Sequence, residues 1–142
     1  MLKRSWLKRG NSQLKRSPLK KKSKTKSKRL KLFDKAWKLF SLYVRVRDEG
    51  QCFTCPAKGR IEDMQAGHFI HGRSTPIYFD EHNVHCQCVK CNHFLSGNRD
   101  IYLRNIQKKY GIPKGDELLK ARYQTHYYPI KELEELIKKY GE

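Results

Sequence analysis

The sequence predicts an α+β protein in which a small cysteine-bearing core with short strands is flanked by helices and preceded by a disordered basic tail. Three observations lead to this fold class. Two Cys-x-x-Cys pairs lie in one chain of 142 residues, amphipathic helical patterns lie on both sides of them, and the N-terminal segment is rich in Lys, Ser and Thr. A chain of this length has room for one compact domain. We therefore assign residues 1–30 to the tail and residues 31–142 to a single domain.

The tail carries most of the charge. Residues 1–31 hold 14 of the 32 Lys and Arg side chains and none of the 14 acidic ones, in a chain with a formal net charge of +18. Such a segment cannot bury enough apolar surface to offset its ordering entropy, so we expect disorder in the free protein. Dense positive charge attracts nucleic acid, because each phosphate contact releases condensed counterions. A solubilising arm or a nuclear-localisation-like string is the alternative interpretation.

The sequence also limits where the protein works. No stretch approaches the roughly 20 apolar residues of a membrane-spanning helix, and the tail has no apolar face to insert into a bilayer. The N-terminal segment lacks the uninterrupted apolar run of a signal peptide. We therefore expect a cytoplasmic protein that is not secreted, has no membrane partner and keeps its cysteines reduced.

In the first half of the domain, the sequence predicts one helix and two short strands. From Leu32 onward, apolar residues recur every three to four positions and predict an amphipathic helix that ends near Asp48. Residues 60–70 have few helix signals and predict a strand or a hairpin arm. Residues 84–87 predict a second short extended segment.

The second half predicts helices. We expect one helix to open at residues 88–91 and a second helical run to end at Tyr110, before a glycine. Two more helices are expected at about 116–123 and 130–140. The last one has an apolar stripe, which predicts that it packs against the first helix.

The cysteines predict a structural zinc site. Cys52 and Cys55 form one Cys-x-x-Cys pair, and Cys88 and Cys91 form the other after 32 intervening residues. Paired cysteines at this spacing in a reducing compartment are typical of Zn²⁺ bound by four thiolates. The metal would replace the hydrophobic core that so short a segment lacks. Cys86 has no partner three residues on, so we interpret it as a free thiol.

Three polar residues near the cysteine pairs suggest catalysis. Each has an ordinary interpretation, since His68 could be a strand histidine, Asn83 a turn former and Asn92 a residue at a helix start. Together they fit the hydrolysis of a phosphodiester, which needs a base, a group that orients the base, and a cation that neutralises developing charge. His68 is the candidate base, Asn83 its orienter and Asn92 an oxygen ligand of Mg²⁺ or Mn²⁺. In this scheme zinc sets positions and takes no part in the reaction.

The same segments resemble a known family. The runs are Ala-Gly-His-Phe at 66–69, Phe-Asp-Glu-His-Asn-Val-His at 79–85, Gln-Cys-Val-Lys-Cys-Asn at 87–92 and Ser-Gly-Asn at 96–98, with Arg-Asp at 47–48. They resemble the NinG/Rap recombination endonucleases of lambdoid phages and, more widely, the HNH or ββα-metal nucleases and the endonuclease VII type of junction resolvase. The resemblance spans roughly residues 28–140 and is densest over 52–98.

The resemblance implies a ββα-metal (HNH-like) core and a function. It implies an endonuclease that cuts branched recombination intermediates, such as Holliday junctions, with a divalent cation, in the host cytoplasm. By position, His68 matches the general base, Asn83 its orienter and Asn92 a metal ligand. Two positions depart from the pattern: Gly67 replaces the Asp or His usually found before the base, and Gln65 replaces an acidic residue.

The second protein ligand of the catalytic cation is therefore open. The sequence offers four candidates: Asp63, Asp80, His85 and His93. His85 has the best position, because it would leave a strand near Asn83, and its alternative interpretation is a histidine on a strand face.

Other functions fit part of this evidence. A non-catalytic zinc module could grip nucleic acid, a less selective HNH nuclease could cut other DNA, and a Lys-rich arm suits an RNA-associated protein equally well. Symmetric cutting of a junction would favour a homodimer with two active sites.

Overall fold

The computed structural model describes residues 27–141. The disorder expected of residues 1–30 concerns mainly residues 1–26, which lie outside this range, whereas residues 28–30 already belong to the first helix. No helix within 27–141 is both long enough and apolar enough to cross a membrane. The elements are α1 (Lys28–Arg47), β1 (Gln65–His68), β2 (Val84–Gln87), a π-helical turn (Lys90–Phe94), α2 (Arg99–Tyr110), α3 (Ile112–Ala121) and α4 (Ile130–Tyr140).

Helix α1 begins four residues earlier than the sequence predicts. The Ser27 side chain accepts a hydrogen bond from the Leu30 amide at 3.4 Å and so caps the helix. Lys and Arg are good helix formers, so the basic residues ahead of Leu32 extend the helix toward this cap. The predicted end is confirmed, since Asp48 is the C-terminal cap of α1.

The two strands form an antiparallel pair, with Gln65 opposite Gln87 and Gly67 opposite His85. Side chains alternate between the faces of a strand. The pairing therefore places these four residues on one face of the sheet and the residue after Gly67, His68, on the other. Strand β2 has the predicted bounds. Strand β1 is shorter than residues 60–70, because residues 61–63 form a turn.

One hydrophobic core joins α1 to α4. Buried Phe33, Phe40 and Val44 of α1 pack in one cluster with Leu133 of α4 and Val84 of β2. This confirms the predicted contact between the first and last helices. The core thus holds one face of the sheet against α1.

A second core lies under α2 and α3, where Tyr102, Ile106 and Leu118 are fully buried. The bounds of these helices differ from the prediction. Helix α3 begins at Ile112 instead of 116, because Gly111 adopts a φ of +91° that ends α2 and directs the chain straight into the next helix.

The helix expected at residues 88–91 is only a π-helical turn. Three residues in succession after it, Ser96, Gly97 and Asn98, have positive φ angles. An α-helix cannot continue through that conformation. The break separates Cys88 and Cys91 from α2.

Candidate functional site

The four cysteines predicted to bind zinc lie together. The Sγ atoms of Cys52, Cys55, Cys88 and Cys91 are all within 4.8 Å of one another. The Cys55 and Cys88 sulfurs are 3.7 Å apart. Tetrahedral zinc with bonds of about 2.3 Å requires sulfurs roughly 3.8 Å apart, so the donor set and its spacing fit this metal. This cluster could hold a zinc ion.

Cys86 lies outside that quartet. Its thiol is fully buried, and burial, with the nearby Asp48 carboxylate, raises the pKa of Cys86 to about 11. Its backbone amide donates to Asp48 Oδ2 at 2.7 Å. These contacts agree with the interpretation of Cys86 as a neutral free thiol that helps to join β2 to the end of α1.

His68, the candidate base, is the last residue of β1 and is 7% exposed. Its ring stacks on Trp37 of α1 with centroids 4.7 Å apart, and its Nε2 lies 3.0 Å from the Tyr78 carbonyl oxygen. A carbonyl can only accept, so Nε2 carries the proton and Nδ1 keeps its lone pair. Burial lowers the pKa of His68 to about 4, so the ring is neutral at pH 7 and Nδ1 carries no proton.

Asn83, the candidate orienter, makes its side-chain hydrogen bonds to the backbone of the loop and not to that ring. Its Oδ1 accepts from the Ile70 amide at 2.8 Å, and its Nδ2 donates to the carbonyls of Ile70 and Ile77 at 3.0 and 2.9 Å. These bonds close the loop between the two strands. Tyr78, which holds His68, directly follows Ile77. Asn83 is therefore placed to position the base through the loop.

Asn92 lies in the π-helical turn, one residue after Cys91. Its Nδ2 donates to Gln65 Oε1 at 2.7 Å, which turns its Oδ1 toward Gly67. A Cβ placed on Gly67 would lie 2.8 Å from Asn92 Oδ1 and would collide with Gln87 Oε1. The Gln87 amide therefore packs over Gly67 in the place that a side chain would take, and Asn92 Oδ1 lies beside it. An amide oxygen such as Asn92 Oδ1 is a suitable ligand for Mg²⁺ or Mn²⁺. Gly67 and His68 are adjacent in β1, so Asn92 and the His68 ring lie at opposite faces of the strand.

The structure argues against His85 as the second ligand. Its Nδ1 and Nε2 lie 3.1 and 2.9 Å from the hydroxyls of Tyr102 and Tyr110. The Tyr102 hydroxyl donates its proton to the Gly67 carbonyl at 2.8 Å, so that hydroxyl accepts a hydrogen bond from Nδ1 of His85. Because Nδ1 carries the proton of the neutral ring, Nε2 accepts a hydrogen bond from the Tyr110 hydroxyl. Burial lowers the pKa of His85 to about 3. Both nitrogens of a neutral ring are engaged, so His85 is better explained as a link between the strand and α2.

The other three candidates lie at the surface or in other contacts. Asp63 is paired with Arg60 at 2.8 Å, both exposed. Asp80 Oδ1 accepts from the His82 backbone amide at 2.7 Å. His93 is exposed on the π-helical turn.

Sequence reasoning missed two residues beside this site. Gln87 was not predicted as a site residue, because its amide reaches Gly67 only through the pairing of the strands. His71 lies just beyond β1, with its ring centroid 5.9 Å from that of His68. Burial lowers the pKa of His71, and the positive charge of Arg99 at the start of α2 lowers it further.

Comparison with known proteins places the chain in a family. The profile of the family described as "Bacteriophage Lambda NinG protein" matches residues 2–142. The protein ninG of Escherichia phage 933W is 31% identical over 102 residues, which cover 69% of this chain and 49% of the relative. The ninG proteins of Salmonella phage P22 and Escherichia phage lambda are 33% and 32% identical over 94 residues, or 63% of this chain and 44% of each relative.

The chain spans about half the length of these curated relatives. No solved structure matches it. The family match covers nearly the whole chain, and it agrees with the resemblance of the segments around the cysteine pairs. The chain belongs to the NinG family of lambdoid phages.

Proposed function

We propose that this chain is a metal-dependent DNA endonuclease that hydrolyses phosphodiester bonds in branched recombination intermediates. The observation that carries the proposal is the state of His68. Its ring is neutral at pH 7 and held at Nε2 by a backbone carbonyl, which leaves the Nδ1 lone pair to face an attacking water. Asn92, the candidate cation ligand, lies beside the adjacent residue, Gly67.

Each group of the site has a role in this chemistry. His68 accepts the proton of the attacking water, and Asn83 keeps the loop closed so that the Tyr78 carbonyl stays against the ring. A divalent cation held at Asn92 would neutralise the charge that develops on the phosphate. Zinc held by the four cysteines would fix the turn that carries Asn92, and the two strands with this turn would form the proposed ββα-metal arrangement.

Charge supports DNA as the substrate. Helix α2, which starts just after the site, carries four exposed basic side chains: Arg99, Arg104, Lys108 and Lys109. The tail adds a dense positive run. Such side chains contact phosphates and position a protein on DNA without reading the bases. The proposed preference for branched DNA comes from the resemblance of the segments around the cysteine pairs to recombination endonucleases, and a homodimer with two active sites would suit a symmetric junction.

The test is cleavage of a labelled four-way junction by the zinc-loaded full chain, with Mg²⁺ or Mn²⁺ and with EDTA as the control. A linear duplex of the same sequence is the matched substrate. We expect cutting of the junction only with the divalent cation, and little cutting of the duplex. Equal cutting of both would indicate a less selective nuclease.

The alternative is a zinc module that binds nucleic acid without cutting it. Gly67, which lacks the usual ligand side chain, favours this alternative. A junction that is bound but stays intact with either cation would contradict the proposed activity. Competition with duplex RNA distinguishes a DNA protein from an RNA-associated one.

A further inference from the structure

A small cavity lies where the start of α1 meets two loops. Its volume is about 90 Å³, which gives room for several water molecules and so for one phosphate group. Its wall includes Arg29 of α1, Arg73 and Ser74 of the loop between the strands, and Tyr127 of the segment between α3 and α4. The cavity therefore combines two cations with a hydroxyl and an aromatic ring.

Hydrogen bonds hold the three segments of this wall together. The His126 amide donates to the Ser74 carbonyl at 2.6 Å, and the Tyr128 hydroxyl donates to the Thr75 carbonyl at 2.8 Å. Arg29 Nη1 donates to the Tyr128 carbonyl at 3.4 Å and so joins α1 to the same segment. The cavity is therefore preformed, and a ligand would bind with little ordering of the chain.

Neither guanidinium is neutralised by a strong ion pair. Arg29 lies over the tyrosine ring, 4.5 Å from its centroid, and forms no ion pair within residues 27–141. Arg73 contacts Asp34 at 3.4 Å, but these side chains are 58% and 33% exposed, and a surface pair of this kind contributes little. The carboxylate of Glu132 is paired with His126 at 2.9 Å. Because a guanidinium has several N–H donors, both arginines keep donors for an anion.

The tyrosine ring offers a second kind of contact. Tyr127 is 69% exposed, although Arg29 covers part of the ring. Exposed aromatic rings beside cationic groups stack with the bases of single-stranded nucleic acid. A base within a duplex is already stacked on its neighbours, so this ring suits an unpaired base.

The cavity and His68 lie along the same helix. The His68 ring stacks on Trp37 of α1, and Arg29 lies about two turns earlier on that helix. At a rise of 1.5 Å per residue this separation is roughly 12 Å, which is roughly three to four nucleotides along one strand of DNA. Residues 1–26, which carry most of the positive charge of the tail, come shortly before Arg29 in the sequence. The cavity therefore lies between the basic tail and the candidate base.

We propose that Arg29, Arg73 and Tyr127 bind one nucleotide of an unpaired DNA strand beside the cleavage site. The two guanidinium groups bind its phosphate, and the tyrosine ring stacks with its base. This inference rests on the proposed function and deepens it, because it gives a physical reason for a preference for branched DNA. Stacking is interrupted at a branch point, so a base there reaches the ring at a lower cost than a base within a duplex.

The test measures binding of a labelled thymidine oligonucleotide to the zinc-loaded full chain by fluorescence anisotropy, without Mg²⁺ or Mn²⁺. Tyr127→Leu removes the ring, and Arg29→Gln and Arg73→Gln each remove one charge. We expect each variant to bind at least about fivefold more weakly than the wild type. The slope of log K against log salt should become shallower by about 0.7 in each arginine variant and stay unchanged in Tyr127→Leu.

Tyr123→Leu is the matched control variant. Tyr123 is 82% exposed and its ring centroid lies 5.4 Å from the Arg122 guanidinium, but it does not line the cavity. Tyr123→Leu should therefore bind the oligonucleotide like the wild type. Wild-type binding by a folded Tyr127→Leu would overturn the proposal. Zinc content and thermal unfolding verify that each variant is folded.

An abasic strand of the same length distinguishes a nucleotide from a phosphate alone. It carries the same phosphates without bases, so we expect the wild type to bind it about as weakly as Tyr127→Leu binds the thymidine strand. Equal binding of the two strands by the wild type would mean that only phosphates are bound, and the proposal would fall.

A cross-link tests the site in the wild type, should a variant fail to fold. A strand that carries 5-iododeoxyuridine is irradiated in the complex, and the linked peptide is identified by mass spectrometry. We expect the link at Tyr127. Links confined to residues 1–26 or to α2 would overturn the proposal, because DNA would then bind to the charged surface without entering this cavity.

The two proposals fail separately. If the thymidine strand binds through these three residues but the junction stays intact with either cation, the nucleotide site stands and the endonuclease proposal falls. If the junction is cut while the folded variants bind the strand like the wild type, the endonuclease proposal stands and the nucleotide site falls.

Discussion

Replacing Asn83 with alanine tests how the site is positioned. The variant removes three hydrogen bonds from a fully buried side chain and leaves the Ile70 amide and the carbonyls of Ile70 and Ile77 without their partners. A buried group left unpaired costs about 1–3 kcal/mol, and part of this is recovered when the loop relaxes toward water. We expect Asn83→Ala to lower the free energy of unfolding by about 3–5 kcal/mol.

The assay is urea unfolding of the zinc-loaded protein, followed by tryptophan fluorescence, to which Trp37 beside His68 contributes. Asn105→Ala is the matched control, because that side chain makes one hydrogen bond, to the Phe53 carbonyl at 2.6 Å. Asn105→Ala should lower the free energy of unfolding by about 1 kcal/mol. If Asn83→Ala lowers it by no more than Asn105→Ala does, the hydrogen bonds of Asn83 do not hold the loop.

The same variant should also change the base. Once the loop opens, the Tyr78 carbonyl no longer holds His68 Nε2, and water reaches the ring. The pKa of His68 should then rise from about 4 toward the ordinary value of 6.5, because burial is the main cause of its depression. Nuclear magnetic resonance titration of the histidine ring protons measures this shift. An unchanged pKa in a folded variant would refute the link from Asn83 to His68.

Further predictions concern acid stability, the metal and the tail. Burial depresses the pKa of His68 to about 4 and that of His85 to about 3, so the unfolded chain takes up protons first and stability should fall as the pH drops below about 6.5. The urea concentration at the midpoint of unfolding, measured between pH 7.5 and 5, should fall with pH in the wild type and fall less in a His68→Phe variant. A midpoint that does not change with pH in the wild type would contradict this prediction. Cys55→Ser should abolish zinc binding and unfold the central region, whereas Cys86→Ala should keep its zinc; metal analysis of both proteins distinguishes the quartet from any set that includes Cys86. Deleting residues 1–26 should weaken DNA binding and reduce its dependence on salt, and an unchanged salt slope would argue against phosphate contacts by the tail.

Local patterns predicted the features that depend on nearby residues. The spacing of the cysteines predicted the quartet, and the apolar stripes predicted that α1 packs on α4, because both patterns follow directly from turn and helix geometry. The end of α1 at Asp48 and the bounds of β2 were also predicted from local residues.

The sequence could not predict contacts that depend on strand pairing and on distant helices. Gln87 reaches Gly67 only because the register places them on one face of the sheet. His85 is engaged by Tyr102 and Tyr110, which lie 17 and 25 residues further along the chain on α2. From the sequence alone, a strand histidine close to Asn83 resembles a metal ligand, and only the positions of those two hydroxyls show its other role.

The most direct test of the central claim is the single-turnover rate of junction cleavage by His68→Ala, compared with the wild type, both loaded with zinc and saturated with DNA and Mg²⁺. His126→Ala is the control, because that histidine is paired with Glu132 on α4 at 2.9 Å. If His68 activates the attacking water, His68→Ala should cut about a hundred to ten thousand times more slowly while binding DNA and zinc normally, and His126→Ala should cut at the wild-type rate. Equal rates for His68→Ala and the wild type would contradict the account.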